Sequence, residues 1–345
     1  MGRLQWATRI GVALGLLVVA MAARADEAAA VKAIEKLGGT TTVDDGQPGK
    51  PVVAVSLIGR TGADAIVKEV KELKNLRALY LDESDVTDVG LKQLKRLRSL
   101  ESLGLGGTKV TDAGLKELKE LVRLQDLDLH STQVTDTGLR ELKELTHLQT
   151  LRLYGTKITD IGLKELKDLK KLQTLNLYGA KITDAGLKHL KDLKNLQFLN
   201  LWETQITDAG LKDLGAMRNL HTLYLMKTKV TDAGLKSLKD LKKLETLWLT
   251  GTQVTDAGLK DVAELKALGS LSLGDTQVTD AGLRHLTRLD RLYFLDLNNT
   301  RVTDAGLKQL TLLKRLDTLA VGNTKATDAG VKRLRQARPE LRIIR

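Results

Sequence analysis

Three polar residues within five positions invite a chemical reading: Asp126, Asp128 and His130 alternate along one stretch, with Arg152 falling 24 residues after Asp128. Alternation by two places side chains on one face of a strand, and two carboxylates with an imidazole could hold a divalent metal or relay a proton. Either task needs ligands that converge in a pocket. Three groups on an open ribbon read instead as a polar surface, so no metal site is expected. The remaining histidines, His147, His189, His221 and His285, are scattered and read as solvated. Cysteine is absent and serine sparse, so no nucleophile–base pairing emerges. Neither enzymatic activity nor a cofactor is expected.

The aromatic residues carry a stronger signal. Tyr154, Tyr178, Trp202 and Met226 follow one another at intervals of 24, as do Tyr224 and Trp248. Phe198 lies among them. A fixed interval of this kind puts rings on neighbouring strands about 4.8 Å apart, and a contiguous exposed stripe of Tyr and Trp is how recognition surfaces look. Strand propensity alone accounts for part of this pattern, but it leaves open why the buried strand positions hold only aliphatic residues. The residues expected to bind a partner are therefore Tyr154, Tyr178, Phe198, Trp202, Tyr224, Met226 and Trp248, with Arg152 and Asp128 adding polar specificity at one edge.

The positioning elements follow from an internal repeat. A Thr-Asp pair recurs at 87, 111, 135 and every 24 residues to 327. Counting that Thr as position 1, aliphatics fill positions 5, 8, 11, 14, 17, 19 and 24. In one unit these are Leu115, Leu118, Leu121, Leu124, Leu127, Leu129 and Val134. Spacing by three predicts a helical stripe, and spacing by two a short strand with one face buried. One such unit buries too little to offset the ordering of its backbone, so units must stack. Thr and Asp at positions 1 and 2 suit a helix start, as hydroxyl cap and first-turn acid. Gly at position 4, as in Gly90 and Gly114, implies that a Cβ there meets the adjacent coil.

The stretch LQDLDLHST (residues 124–132) resembles the leucine-rich repeat signature, with Thr where that family usually has Asn or Cys. The VTDAGL continuation is similar to bacterial members of its ribonuclease-inhibitor-like and cysteine-containing subclasses. The resemblance covers residues 52 to 345. It implies an α/β leucine-rich repeat solenoid, a curved horseshoe with a parallel sheet on the concave face and helices on the convex face. The aromatic stripe falls on that concave side, where a curved, pre-ordered sheet favours binding of a partner protein.

The ends differ from the array. Residues 1–25 read as a secretory signal: Arg3 and Arg9 precede the apolar stretch Ile10 to Ala23, and Ala23-Arg24-Ala25 offers a cleavage site. Loss of Arg3, Arg9 and Arg24 lowers the formal charge from +12 by three to +9. Residues 26–62 read as an N-terminal cap of helix, hairpin and first strand, 63–338 as the repeat array, and 339–345 as a C-terminal cap. Lys or Arg at position 6, interleaved with acids, reads as a solvated convex face rather than a nucleic-acid surface. The expectation is an exported, periplasmic or extracellular monomer that binds a protein and is not transmembrane once the signal is removed. Alternatives are binding of a glycan or envelope polymer on the same face, a structural envelope spacer, and, least favoured, a ubiquitin-ligase-like substrate adaptor.

Overall fold

The computed structural model describes residues 25–345. The expected secretory signal lies, apart from Ala25, outside the described residues. The chain divides into two compact units, Met1–Asp128 and Leu129–Arg345.

In the first unit, residues 25–36 are helical and bury Ala30 and Ile34. Glu27 Oε1 accepts the Val52 N–H at 2.6 Å, tying this helix to strand β2 (Val52–Ser56). Strand β1 (Thr40–Val43) pairs antiparallel with β2. Then β3 (Ala78–Tyr80), β4 (Ser102–Gly104) and β5 (Asp126–Asp128) add in parallel, in the register Val55, Leu79, Leu103, Leu127.

The second unit is a parallel sheet in sequence order: β6 (Thr150–Arg152), β7 (Thr174–Asn176), β8 (Phe198–Asn200), β9 (Thr222–Tyr224), β10 (Thr246–Trp248), β11 (Ser270–Ser272), β12 (Phe294–Asp296), β13 (Thr318–Ala320) and β14 (Arg342–Ile344). Each residue pairs with the one 24 positions on, so copies of one repeat position form a column across the strands. The aliphatic positions all point inward. In the coil from Thr159, Leu163, Leu166, Leu169, Leu172, Leu175, Leu177 and Ile182 are fully buried. The position 6 cations, such as Lys164 and Lys188, are exposed on the helical side.

The helical layer departs from one regular helix per coil. Asp208–Leu214 is α-helical throughout, but Asp160–Leu163 is a single α turn that continues as a 3-10 helix over Lys164–Asp168. Leucines at every third position match three residues per turn better than 3.6, which suits the tighter helix.

Thr207 caps its helix as expected, its Oγ1 accepting the Ala209 N–H at 3.2 Å. The aspartates do more than sit in a first turn. Asp184 reaches the next coil, where its Oδ1 accepts the Thr207 N–H at 2.9 Å and its Oδ2 the Thr207 hydroxyl at 2.6 Å. The same bridge runs from Asp136 to Asp304 in the second unit and joins Asp64 to Thr87 and Asp88 to Thr111 in the first. The Thr at the signature position acts locally: the Thr204 hydroxyl donates to the Leu201 carbonyl of its own coil at 2.6 Å. No helix among the described residues is long and apolar enough to cross a membrane.

Candidate functional site

In a strand with leucines inward at positions 17 and 19, the side chains at 16, 18 and 20 face away from the core. That geometry puts the expected aromatics of the second unit into two strings. Along the position 20 column, His130 stacks on Tyr154 with centroids 4.5 Å apart and planes 10° apart. Tyr154 and Tyr178 follow at 6.4 Å, then Tyr178 and Trp202 at 4.5 Å. In the second string Phe198 meets Tyr224 edge-on at 5.3 Å, and Tyr224 stacks on Trp248 at 4.4 Å and 10°. The closer spacings match the distance between strands, so the sheet itself sets the stack. Burial, and secondarily Tyr293, raises the Tyr224 pKa.

Met226 departs from the expectation of an exposed contact residue. It is buried at 8% exposure, although it occupies the column after Trp202. Its flexible side chain lines a cavity of about 200 Å³ instead. Trp202, Trp248 and Phe294 also line this cavity, with Thr250, Ser272 and Asp296 as its polar side and Lys227 at its edge. Arg152 is half-buried in β6. Asp128 falls in β5 of the first unit, where its carbonyl accepts the Leu105 N–H at 2.9 Å.

A hydroxyl–carboxylate chain crosses three strands beside the rings. Thr250 and Ser272 share a hydrogen bond of 2.5 Å, and the Ser272 hydroxyl donates to Asp296 Oδ2 at 2.7 Å. Asp296 Oδ1 accepts the Asn298 N–H at 3.0 Å. The Trp248 indole N–H donates to the Ser270 hydroxyl at 3.2 Å. Lys227 lies 5.9 Å from the Trp202 ring centroid and pairs with Glu203 at 2.6 Å. That contact raises the Lys227 pKa and lowers that of Glu203. Both residues have positive φ, 52° and 56°, where other coils place glycine, such as Gly155 and Gly179.

The profile described as Leucine Rich repeats (2 copies) matches residues 146–191, and the one described as Leucine Rich repeat matches residues 216–239. The chain carries leucine-rich repeats over these residues. Comparison with curated protein sequences returns no match. Among solved structures, an internalin (InlF) from Listeria monocytogenes is 24% identical with a TM-score of 0.67, covering 86% of this chain and 89% of that one. A leucine-rich repeat protein from Leptospira interrogans is 22% identical with a TM-score of 0.58, covering 80% of each chain. The PEPR1–AtPEP1 structure is 19% identical with a TM-score of 0.53, covering 88% of this chain and 43% of that one. These likenesses establish the leucine-rich repeat fold.

Sequence reasoning missed four contributors to this face of the repeat sheet. His130 belongs to the ring stack, a role hidden by its acidic neighbours. Phe294 carried the signal of an outward aromatic but stands two strands beyond Trp248. Ser272 and Asp296 gave no signal, because small and acidic residues at outward positions look like ordinary surface.

Proposed function

We propose that this leucine-rich repeat protein is a non-enzymatic, exported binding protein whose open sheet face engages a partner protein. Export rests on the secretory character of residues 1–25. We further propose that residues 26–62 and 339–345 cap an array spanning 63–338.

One observation carries the binding reading: the indole Nε1 of Trp202 is buried and makes no hydrogen bond among the described residues. An orphaned buried donor costs about 1–3 kcal/mol. A phenylalanine would stack on Tyr178 without that cost, so a ring present only to stabilise the sheet gains nothing from being indole. The positive φ of Glu203 and Lys227 adds to the argument, because strained backbone is retained where a side chain is needed. A pre-ordered face then binds with little further loss of conformational entropy.

A protein partner fits better than a glycan. Sugar rings stack on broad open aromatic faces, whereas Tyr224 and Trp248 cover each other on one side and the other side of Trp248 borders a cavity of only about 200 Å³. The test compares capture of binding partners from the exported compartment by wild type and by a Tyr154→Ser, Tyr178→Ser, Trp202→Ser variant. Loss of a specific protein from the variant, with its urea midpoint retained, is the expected result. Equal recovery removes the face from consideration, and saccharide-eluted capture favours the glycan.

A further inference from the structure

We infer that the cavity beside Trp248 accepts a single arginine side chain from the partner; this rests on the partner-binding reading of the sheet face. The argument begins with a broken column. At position 18 the rings of Tyr224 and Trp248 stand on β9 and β10, 4.4 Å apart and nearly parallel. On β11 the same position holds Ser272, buried and too small to continue the stack, and on β12 it holds Asp296. The next planar rung is missing, and a carboxylate stands one strand beyond the gap.

A guanidinium meets both requirements. It is flat, so it can lie against an indole as Tyr224 does on the other side, and its forked N–H groups match a carboxylate. Asp296 has capacity for it. Each carboxylate oxygen accepts one hydrogen bond, from Ser272 and from Asn298, and an ionised carboxylate offers about four lone-pair sites. No lysine or arginine among the described residues pairs with Asp296. The one cation at the edge, Lys227, has its charge matched by Glu203.

Size selects the same occupant. Small-molecule clefts run to about 300–1,000 Å³, whereas this cavity is about 200 Å³. Met226 and Phe294 supply apolar surface for the methylene stem of a long side chain. A phenylalanine would fill the gap but leave Asp296 facing an apolar ring, a tyrosine would bring a hydroxyl without a charge, and a lysine a charge without a planar group. Planarity and charge together therefore decide for arginine.

The experiment uses the full chain and short capped peptides with one central residue between serines. That residue is arginine, citrulline or norleucine, and indole NMR shifts report binding. Citrulline keeps the planar shape and loses the charge. Wild type is expected to bind the arginine peptide about tenfold more tightly than the other two. Asp296→Asn is expected to abolish that preference while keeping the wild-type urea midpoint. Ser272→Phe, which completes the column, is expected to abolish arginine binding as well. Equal binding of arginine and citrulline peptides, or a preference that survives Asp296→Asn, overturns the inference. The partner-capture comparison separates the two readings. If the aromatic variant loses the partner and Asp296→Asn does not, the arginine pocket falls and the binding face stands.

Discussion

The carboxylate of Asp184 occupies the space where Gly210 would carry a side chain: a Cβ built on Gly210 lies 2.4 Å from Asp184 Oδ1. That oxygen also accepts the Thr207 N–H, so the glycine and the coil-to-coil bridge depend on each other. Gly210→Ala is expected to destabilise by about 1–3 kcal/mol, the range for forced overpacking. In a double-mutant cycle with Asp184→Ala the two losses should fall short of additive, since removing the carboxylate relieves the clash. Urea titrations of the four proteins measure this, and strict additivity would refute the coupling.

Gly179 tests the opposite cause. Its φ is +70°, and a Cβ there meets nothing within 4 Å. Any cost of Gly179→Ala is therefore conformational, about 1–2 kcal/mol. Asn visits the left-handed region more readily, so Gly179→Asn should lose less, as Asn299 and Asn323 do at the same repeat position with φ of 58° and 54°. Thermal unfolding of both variants gives the comparison. Equal losses would point to packing instead.

These two glycines show which features could be read from the chain. Leucine spacing set the inward face, and from it followed the outward position of Tyr178, Trp202 and Trp248. A recurring Gly in a helix also announced a close approach. What it approached stayed hidden, because in a perfect repeat every residue has a copy in the next coil and sequence does not say which pairs touch. Asp184 therefore looked like a helix-start acid, and its bond to Thr207 had no signature of its own. The cavity escaped for a different reason. It is defined by the small size of Ser272 between Trp248 and Asp296, and a gap has no sequence pattern. The burial of Met226 depends on that same local packing.

Acid should weaken the first unit through Asp85. The N–H of Gly62, and next that of Ala63, hold its carboxyl below the ordinary carboxylate range, at 2.8 and 2.9 Å. A depressed folded value means the stabilising contribution is complete above the unfolded pKa of about 3.9. It is lost as pH falls through the folded value. Asp85→Asn should therefore lower the urea midpoint at pH 7, and the gap from wild type should narrow below about pH 4. A gap that stays constant down to pH 2 would assign the loss to packing.

The C-terminal end of the second unit depends on one buried arginine. Arg338 follows the helix Asp328–Ala337, and its side chain is 7% exposed. Its guanidinium donates to the Leu313 carbonyl at 2.7 Å, to Leu316 at 3.0 Å and to Lys314 at 3.1 Å, while Nε pairs with Glu340. These bonds satisfy carbonyls of the preceding coil that β14 does not reach. Arg338→Ala leaves the buried Leu316 carbonyl without a donor, while the Leu313 carbonyl keeps the Leu316 N–H at 3.0 Å, so a loss of about 1–3 kcal/mol is expected. Arg338→Lys should recover only part, because an ammonium lacks the planar fork that spans several carbonyls. Hydrogen exchange resolves where the loss falls. Because repeat arrays open locally, protection should drop over residues 313–344 while the coils around Leu175 keep theirs. Uniform loss along the unit would show that Arg338 holds more than its own end.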